Sequence, residues 1–143
     1  MNKEELELYK DLQSYLPQDW QVGDWGYVDG GGMCIVTDIY QPYDNLRLWF
    51  GDNFRWINHF VAQVFRVPLP IDRQDDERKR RGEAPRGLIE MIKADGKFLC
   101  LNEGQEKWRF SITNDGEESK HYYGITPTVA ILRALKAQVE ERK

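Results

Sequence analysis

The sequence predicts an α+β protein, with an N-terminal helix, a small β-barrel and then a two-layer unit in the order α-β-β-β-α. Three observations carry this expectation. Between Trp20 and Pro70 the chain breaks into short runs of β-formers separated by turns rich in Gly, Asp, Asn and Pro. From Arg86 onward the apolar residues fall at helical spacing, then alternate, then return to helical spacing. Between the two, residues 72–85 carry no large apolar side chain and hold a dense charge run. The expected organisation is therefore residues 1–71 as helix plus barrel, 72–85 as a charged linker, and 86–143 as the α-β-β-β-α unit.

The first helix is marked by Asn2, an N-cap type, with Glu5 three residues on, and by the acids Glu4, Glu5 and Glu7 near the positive end of the helix dipole. Leu8, Leu12 and Tyr15, flanked by Tyr9 and Leu16, recur at helical spacing, and Pro17 ends the segment. Strands follow at Gly23–Val28 and Met33–Tyr40, joined through Asp29-Gly30-Gly31-Gly32. A turn at Gln41–Asn45 leads to Leu46, Leu48 and Phe50, which alternate with Arg47 and Trp49; one face is buried and the other carries a charge and a ring. After Gly51-Asp52-Asn53, residues 54–57 and 64–67 read as two short strands joined by a helical turn. Trp56, Ile57, Phe60, Val61, Val64 and Phe65 fit a helical face as well.

In the last third, Leu88, Ile89, Met91 and Ile92 mark a helix that stops near Asp95-Gly96. Phe98–Leu101 is a strand. Trp108, Phe110 and Ile112 alternate with Arg109, Ser111 and Thr113 in a second, closed by the hairpin turn Asn114-Asp115-Gly116. His121-Tyr122-Tyr123 is a third. Thr126 then caps a helix that begins at Pro127 and lays Ile131, Leu135 and Val139 along one stripe.

Composition narrows the function classes. With 24 acidic and 20 basic residues in 143, the net charge is −4, too mild for a protein that coats nucleic acid or an anionic membrane through its overall field. No apolar run approaches the ~18–20 residues of a membrane span, and the N-terminus lacks the basic and apolar stretches of a secretion signal. A cytoplasmic protein is expected, with Cys34 and Cys100 as reduced core residues.

Catalytic signatures are absent. His59, His121, Cys34 and Cys100 show no metal-ligand spacing, so neither a metal nor a cofactor is expected. No G-x-S-x-G elbow occurs, and Ser14, Ser111 and Ser119 stand in no nucleophile motif. Asp24, between Gly23 and Trp25, is the acid whose setting most invites a shifted pKa, and a site assembled in space around Asp24 and His59 is the enzymatic alternative. The run Gly30–Gly32 enters a strand rather than a helix N-terminus, which favours a hairpin over a phosphate cradle. Two surfaces remain. Trp25, Tyr27, Arg47, Trp49 and Trp56 would form an aromatic face with an arginine, a composition common at hot spots for protein partners. Arg78, Lys79, Arg80 and Arg81 form a basic run for phosphate contacts, preceded by Asp75, Asp76 and Glu77. Homodimerisation through a strand edge or helix is a further expectation.

The segment from Val22 to Pro70 resembles SH3-like small barrels in its opening Gly23-Asp24-Trp25 and its proline-ended strand Val67-Pro68-Leu69-Pro70. The stretch from Trp108 to Val139, through Tyr123-Gly124-Ile125-Thr126-Pro127 into Ala130–Leu135, resembles the ends of small uncharacterised phage and prophage proteins. These resemblances imply a bacterial or phage origin and an unassigned function, and they supply no catalytic residues; the expected role, a non-enzymatic binding or accessory protein, rests on the aromatic face and the basic run. The α-β-β-β-α order is also similar to that of double-stranded-RNA-binding domains. Their basic cluster would fall on Thr126–Ala130, where this chain has no basic residue.

Overall fold

The computed structural model describes residues 1–40, 44–93, 98–114 and 116–141. The turn expected at residues 41–43, the helix stop near Asp95-Gly96 and Asp115 of the last hairpin lie outside them. The fold is α+β, with two antiparallel sheets. By contacts the chain divides into two units, one of Tyr9–Pro68 with Met1, the other of Asn2–Leu8 with Leu69–Lys143.

Helix α1 spans Lys3–Leu12, and its residues are divided between the two units after Leu8. The Asn2 side-chain oxygen accepts the Glu5 backbone N–H at 2.8 Å, as the cap pattern predicts. A 3₁₀ turn at Gln13–Tyr15 follows. That tighter turn advances three residues per revolution, so the phase of the apolar stripe slips. Leu12 and Leu16 are buried, whereas Tyr15, expected on the stripe, is exposed.

In the first unit β1 (Trp25–Val28), β2 (Gly32–Tyr40), β3 (Asn45–Phe50), β4 (Arg55–Phe60) and β5 (Phe65–Arg66) form a five-stranded sheet in the order β4-β3-β2-β1-β5. Gly30 and Gly32, at φ +80° and +90°, make the hairpin between β1 and β2. A 3₁₀ turn at Val61–Gln63 joins β4 to β5, so the segment is strand, turn and strand rather than the helix its spacing also allowed. The helical reading would have turned Trp56 and Phe60 inward with Ile57 and Val64; both rings are exposed.

The expected closed barrel is not formed. β4 and β5 are the two ends of an open sheet. β5 pairs only at Phe65 and Arg66 with β1, and Pro68 and Pro70 just beyond it have no N–H with which to extend a ladder. The Gln13 side-chain amide also occupies the backbone of Arg66, donating to its carbonyl at 2.8 Å and accepting from its N–H at 2.7 Å. Val28, Cys34, Val36, Leu46, Leu48, Phe50 and Val64 form the core on the inner face.

The second unit contains α2 (Asp75–Arg80), α3 (Leu88–Lys93), β6 (Phe98–Glu103), β7 (Trp108–Thr113), β8 (Lys120–Gly124) and α4 (Pro127–Glu141). From α3 onward this is the expected α-β-β-β-α order, with the sheet ordered β6-β7-β8. The Thr126 hydroxyl accepts the Val129 N–H at 3.2 Å and caps α4 as the Thr-Pro pair predicts. α4 packs on β7 and β8, and α3 packs on α4. Ile131, Leu135 and Val139 are buried, together with Val129, Leu132 and Phe110. The approach of α4 to β8 requires Gly124: a Cβ there would sit 2.6 Å from the Ala130 backbone nitrogen. Among the described residues, no helix is long and apolar enough to cross a membrane.

Both cysteines are free, Cys34 buried and Cys100 exposed. Burial pushes the Cys34 thiol up to about 11, so almost none of it is thiolate at neutral pH. Titration of the native protein with a disulfide reagent at neutral pH is expected to modify Cys100 rapidly and Cys34 only after denaturation. Equal native reactivity of the two would contradict this packing of β2.

Candidate binding site

The inward burial of Leu46, Leu48 and Phe50 leaves Asn45, Arg47 and Trp49 on the outer face of β3. Registers across the sheet then decide what stands beside them. Trp25 pairs with Ile35, Ile35 with Trp49, and Trp49 with Trp56, so four apolar side chains form one continuous row across β1, β2, β3 and β4. The next outer row is Asp38, Arg47 and Asn58, and the one after it Tyr40, Asn45 and Phe60. These rows stay on one face because the β2–β3 register shifts between Val36 and Asp38. The bulge absorbs Thr37, whose hydroxyl donates to the Arg47 carbonyl at 3.1 Å. Without the extra residue, Asp38 and Tyr40 would point into the core.

Within this face the Trp49 and Trp56 rings lie 4.4 Å apart, tilted by 48°. The Arg47 guanidinium stands 5.2 Å over the Trp56 ring and 4.0 Å from the Asp38 carboxylate. Tyr27 lies on the same face of β1, opposite Met33 of β2 and Phe65 of β5. Trp25, Tyr27, Arg47 and Trp49 are half-buried, and Trp56 is 54% exposed. The structure therefore brings all five residues of the predicted aromatic set onto one sheet face, with its most open part on β3 and β4.

Sequence reasoning missed two members of that open end. Phe60 is 59% exposed on β4 and Phe54 is 80% exposed just before it. Phe54 sits 6.3 Å from Trp49, edge to face. Its backbone is in the left-handed region at φ +50°, where a bulky side chain costs roughly 1–2 kcal/mol. The Gly51-Asp52-Asn53 turn signal marked the bend but not that the strained position within it would hold a ring to solvent.

The basic run fares differently. Residues 75–80 are helix α2, not linker, because acids fill its first turn and bases its last, in favour with the helix dipole. Arg78 is 4% exposed and bonds the Asp75 carboxylate at 2.8 Å and the Asp72 carboxylate at 3.0 Å. Asp75, 5% exposed, also accepts the Arg86 and Gly87 backbone N–H groups, each at 2.9 Å. Arg78 is thus a structural cation, unavailable to phosphate. Lys79, Arg80 and Arg81 are exposed, with Arg80 paired to Glu77 and Arg81 to Glu83.

The enzymatic alternative gains no geometry. Asp24 precedes β1 and accepts the Gln21 N–H at 2.8 Å in a turn, while His59 lies on β4, three strands away in the sheet order, with its ring 6.1 Å from that of Phe50. In the other unit, the β7–β8 hairpin brings Ser111 beside His121, Oγ to Nδ1 at 2.7 Å, a pairing between residues ten positions apart. Ser111 is itself buried, and this bond satisfies its hydroxyl. Among the described residues, no group of three or more His, Cys, Asp or Glu is placed to hold a metal ion. In comparisons with protein-family models, curated proteins and solved structures, the chain matches none.

Burial would raise the Asp75 pKa, but the two backbone N–H groups and the Arg78 guanidinium outweigh it and hold the carboxyl below its usual range. A depressed native pKa contributes stability that is complete above the unfolded value of about 4 and is lost as pH falls through the native one. Asp75→Ala, which leaves buried Arg78 with the Asp72 carboxylate alone and deprives the Arg86 and Gly87 N–H groups of their acceptor, is expected to cost about 3–5 kcal/mol at pH 7 and to flatten the loss of stability below about pH 4. Chemical denaturation of both proteins from pH 7 to pH 2 checks it. A cost under about 1 kcal/mol, typical of an exposed pair, would contradict the assignment.

Proposed function

We propose that this chain is a non-enzymatic binding or accessory protein of phage or prophage type that works in the cytoplasm and holds a protein partner on the outer face of the five-stranded sheet. One observation carries the reading: Trp25, Ile35, Trp49 and Trp56 align in a single row that ends in an exposed tryptophan, with Arg47 stacked beside it. Exposed large apolar side chains scattered singly need no explanation, but Trp56 and Phe60 share the outer face of the edge strand and Phe54 meets Trp49 of that same face. Trp and Arg are among the residues most enriched where interface energy concentrates, Trp because a rigid ring offers broad contact at low entropic cost and Arg because its planar guanidinium stacks and donates several hydrogen bonds. The strained backbone at Phe54 supports the same reading. A chain selected for stability alone would place Gly or Asn at φ +50°.

The first unit is taken as an SH3-like small barrel in the making. The short fifth strand returns beside the first, and a 3₁₀ turn leads into it, although hydrogen bonding leaves the sheet open. Backbone contact with nucleic acid is the weaker alternative, since Arg78 is consumed within its own unit.

Capture of partners from the native host, with mass spectrometry, tests the proposal. A partner held by the wild type is expected to be lost at least tenfold with Trp56→Ala and with Phe54→Gly, and kept when Lys79, Arg80 and Arg81 are all replaced by Ser. Phe54→Gly is expected to raise stability by about 1 kcal/mol while it weakens capture, because it relieves the left-handed strain. Capture unchanged by the aromatic substitutions but abolished by the Ser triple variant would overturn the reading in favour of the basic segment.

A further inference from the structure

The two edges of the five-stranded sheet are treated differently. On β5 the Gln13 amide satisfies both backbone groups of Arg66. On β4 the alternation of the strand decides which groups are free. The Val61 N–H bonds the Asp44 carbonyl, toward β3. Strand alternation then directs the main-chain groups of Ile57 and His59 toward β3 and those of Trp56, Asn58 and Phe60 away from the sheet. The Phe60 N–H is met by the Gln63 side chain at 3.2 Å. The outward N–H and C=O groups of Trp56 and Asn58 meet no strand among the described residues, since β4 ends the sheet.

Edges meant to stay unpaired are blunted by lysine, proline, a bulge or a short length. β4 has no lysine, proline or bulge, and its one Lys, Arg, Asp or Glu is Arg55 at its first position; its register with β3 is unbroken over six pairs, from Asn45–Phe60 to Phe50–Arg55, and its outward face carries Trp56 and Phe60. Arg55, opposite the inward Phe50 and so on the other face of the strand from the rings, is exposed and makes no ion pair with a described residue. We propose that β4 accepts an extended segment of the partner protein as a sixth strand. Apolar side chains at alternate positions of that segment would pack beside Trp56 and Phe60, and a carboxylate next to the residue that meets Trp56 would reach Arg55 on the other face. The proposal rests on the reading of the outer face as the binding surface and names the form of what binds there.

The test uses the full chain and a random twelve-residue peptide library displayed on yeast. Selected peptides are expected to carry apolar residues at every second position with an acidic residue next to one end of that run. For one such synthetic peptide, methylating the backbone nitrogens of one alternate set is expected to weaken binding at least tenfold, while methylating the other set changes little. That pattern needs no change to the protein. Asn58→Pro, which removes an outward N–H and leaves the β3 ladder intact, is expected to weaken binding to the same degree. A library without binders, or binding indifferent to both methylated sets and to Asn58→Pro, would overturn strand addition. If such indifferent binding is still lost in Trp56→Ala, the aromatic face stands and only the strand mode fails; if it survives that change too, both fail.

Discussion

Burying Leu46, Leu48 and Phe50 on one side of β3 forces Arg47 and Trp49 onto the other, and most of what the first unit presents to its surroundings follows from that division. Cross-strand register then propagates it: Leu48 opposes Val36 and Ile57 inside, while Trp49 opposes Ile35 and Trp56 outside. A slip of one residue at either ladder would exchange the two sets. The bulge after Val36 protects the arrangement, because it shifts the count once and returns Asp38 and Tyr40 to the outer face. The core and the candidate binding surface are therefore two outcomes of one pairing, and neither can be moved without the other.

The second unit shows a different way of organising a short segment. Residues 72–87 have almost no apolar surface to bury, so the helix α2 is fixed by charge: Asp75 accepts three hydrogen bonds and Arg78 is held between two carboxylates. Such a network is costly to desolvate and becomes favourable only when its donors and acceptors are matched. Here the partners include the backbone N–H groups just ahead of α3, so the ion pair also fixes where that helix begins. The exposed Arg80 and Arg81 that follow are left with ordinary surface pairs to Glu77 and Glu83.

Much of this was legible in the sequence because it rests on local rules. Asn2, Thr126 and Pro127 announced two helix starts, the alternation of 46–50 announced the sorted strand, and Trp108–Thr113 announced the middle strand of the second sheet. What was not legible depends on partners far along the chain. The burial of Arg78 required Gly87 and Arg86 to deliver N–H groups to Asp75, which a charge count cannot register. The open form of the first sheet depends on how few residues β5 pairs and on Gln13, fifty-three residues from Arg66, taking its edge. The aromatic set was predicted by type, but its alignment into a row needed registers, and Phe54 escaped because a turn signal says nothing of which side chain a strained position will carry.

Amide hydrogen exchange of the free chain, resolved residue by residue by NMR, addresses the central claim most directly. With β4 as an edge strand in the register that sorts core from surface, the amides of Ile57 and His59 should exchange slowly and those of Trp56 and Asn58 at rates near those of unstructured chain. Uniform protection from residue 56 to 59 would contradict the account, since it would mean a helix or an edge already paired.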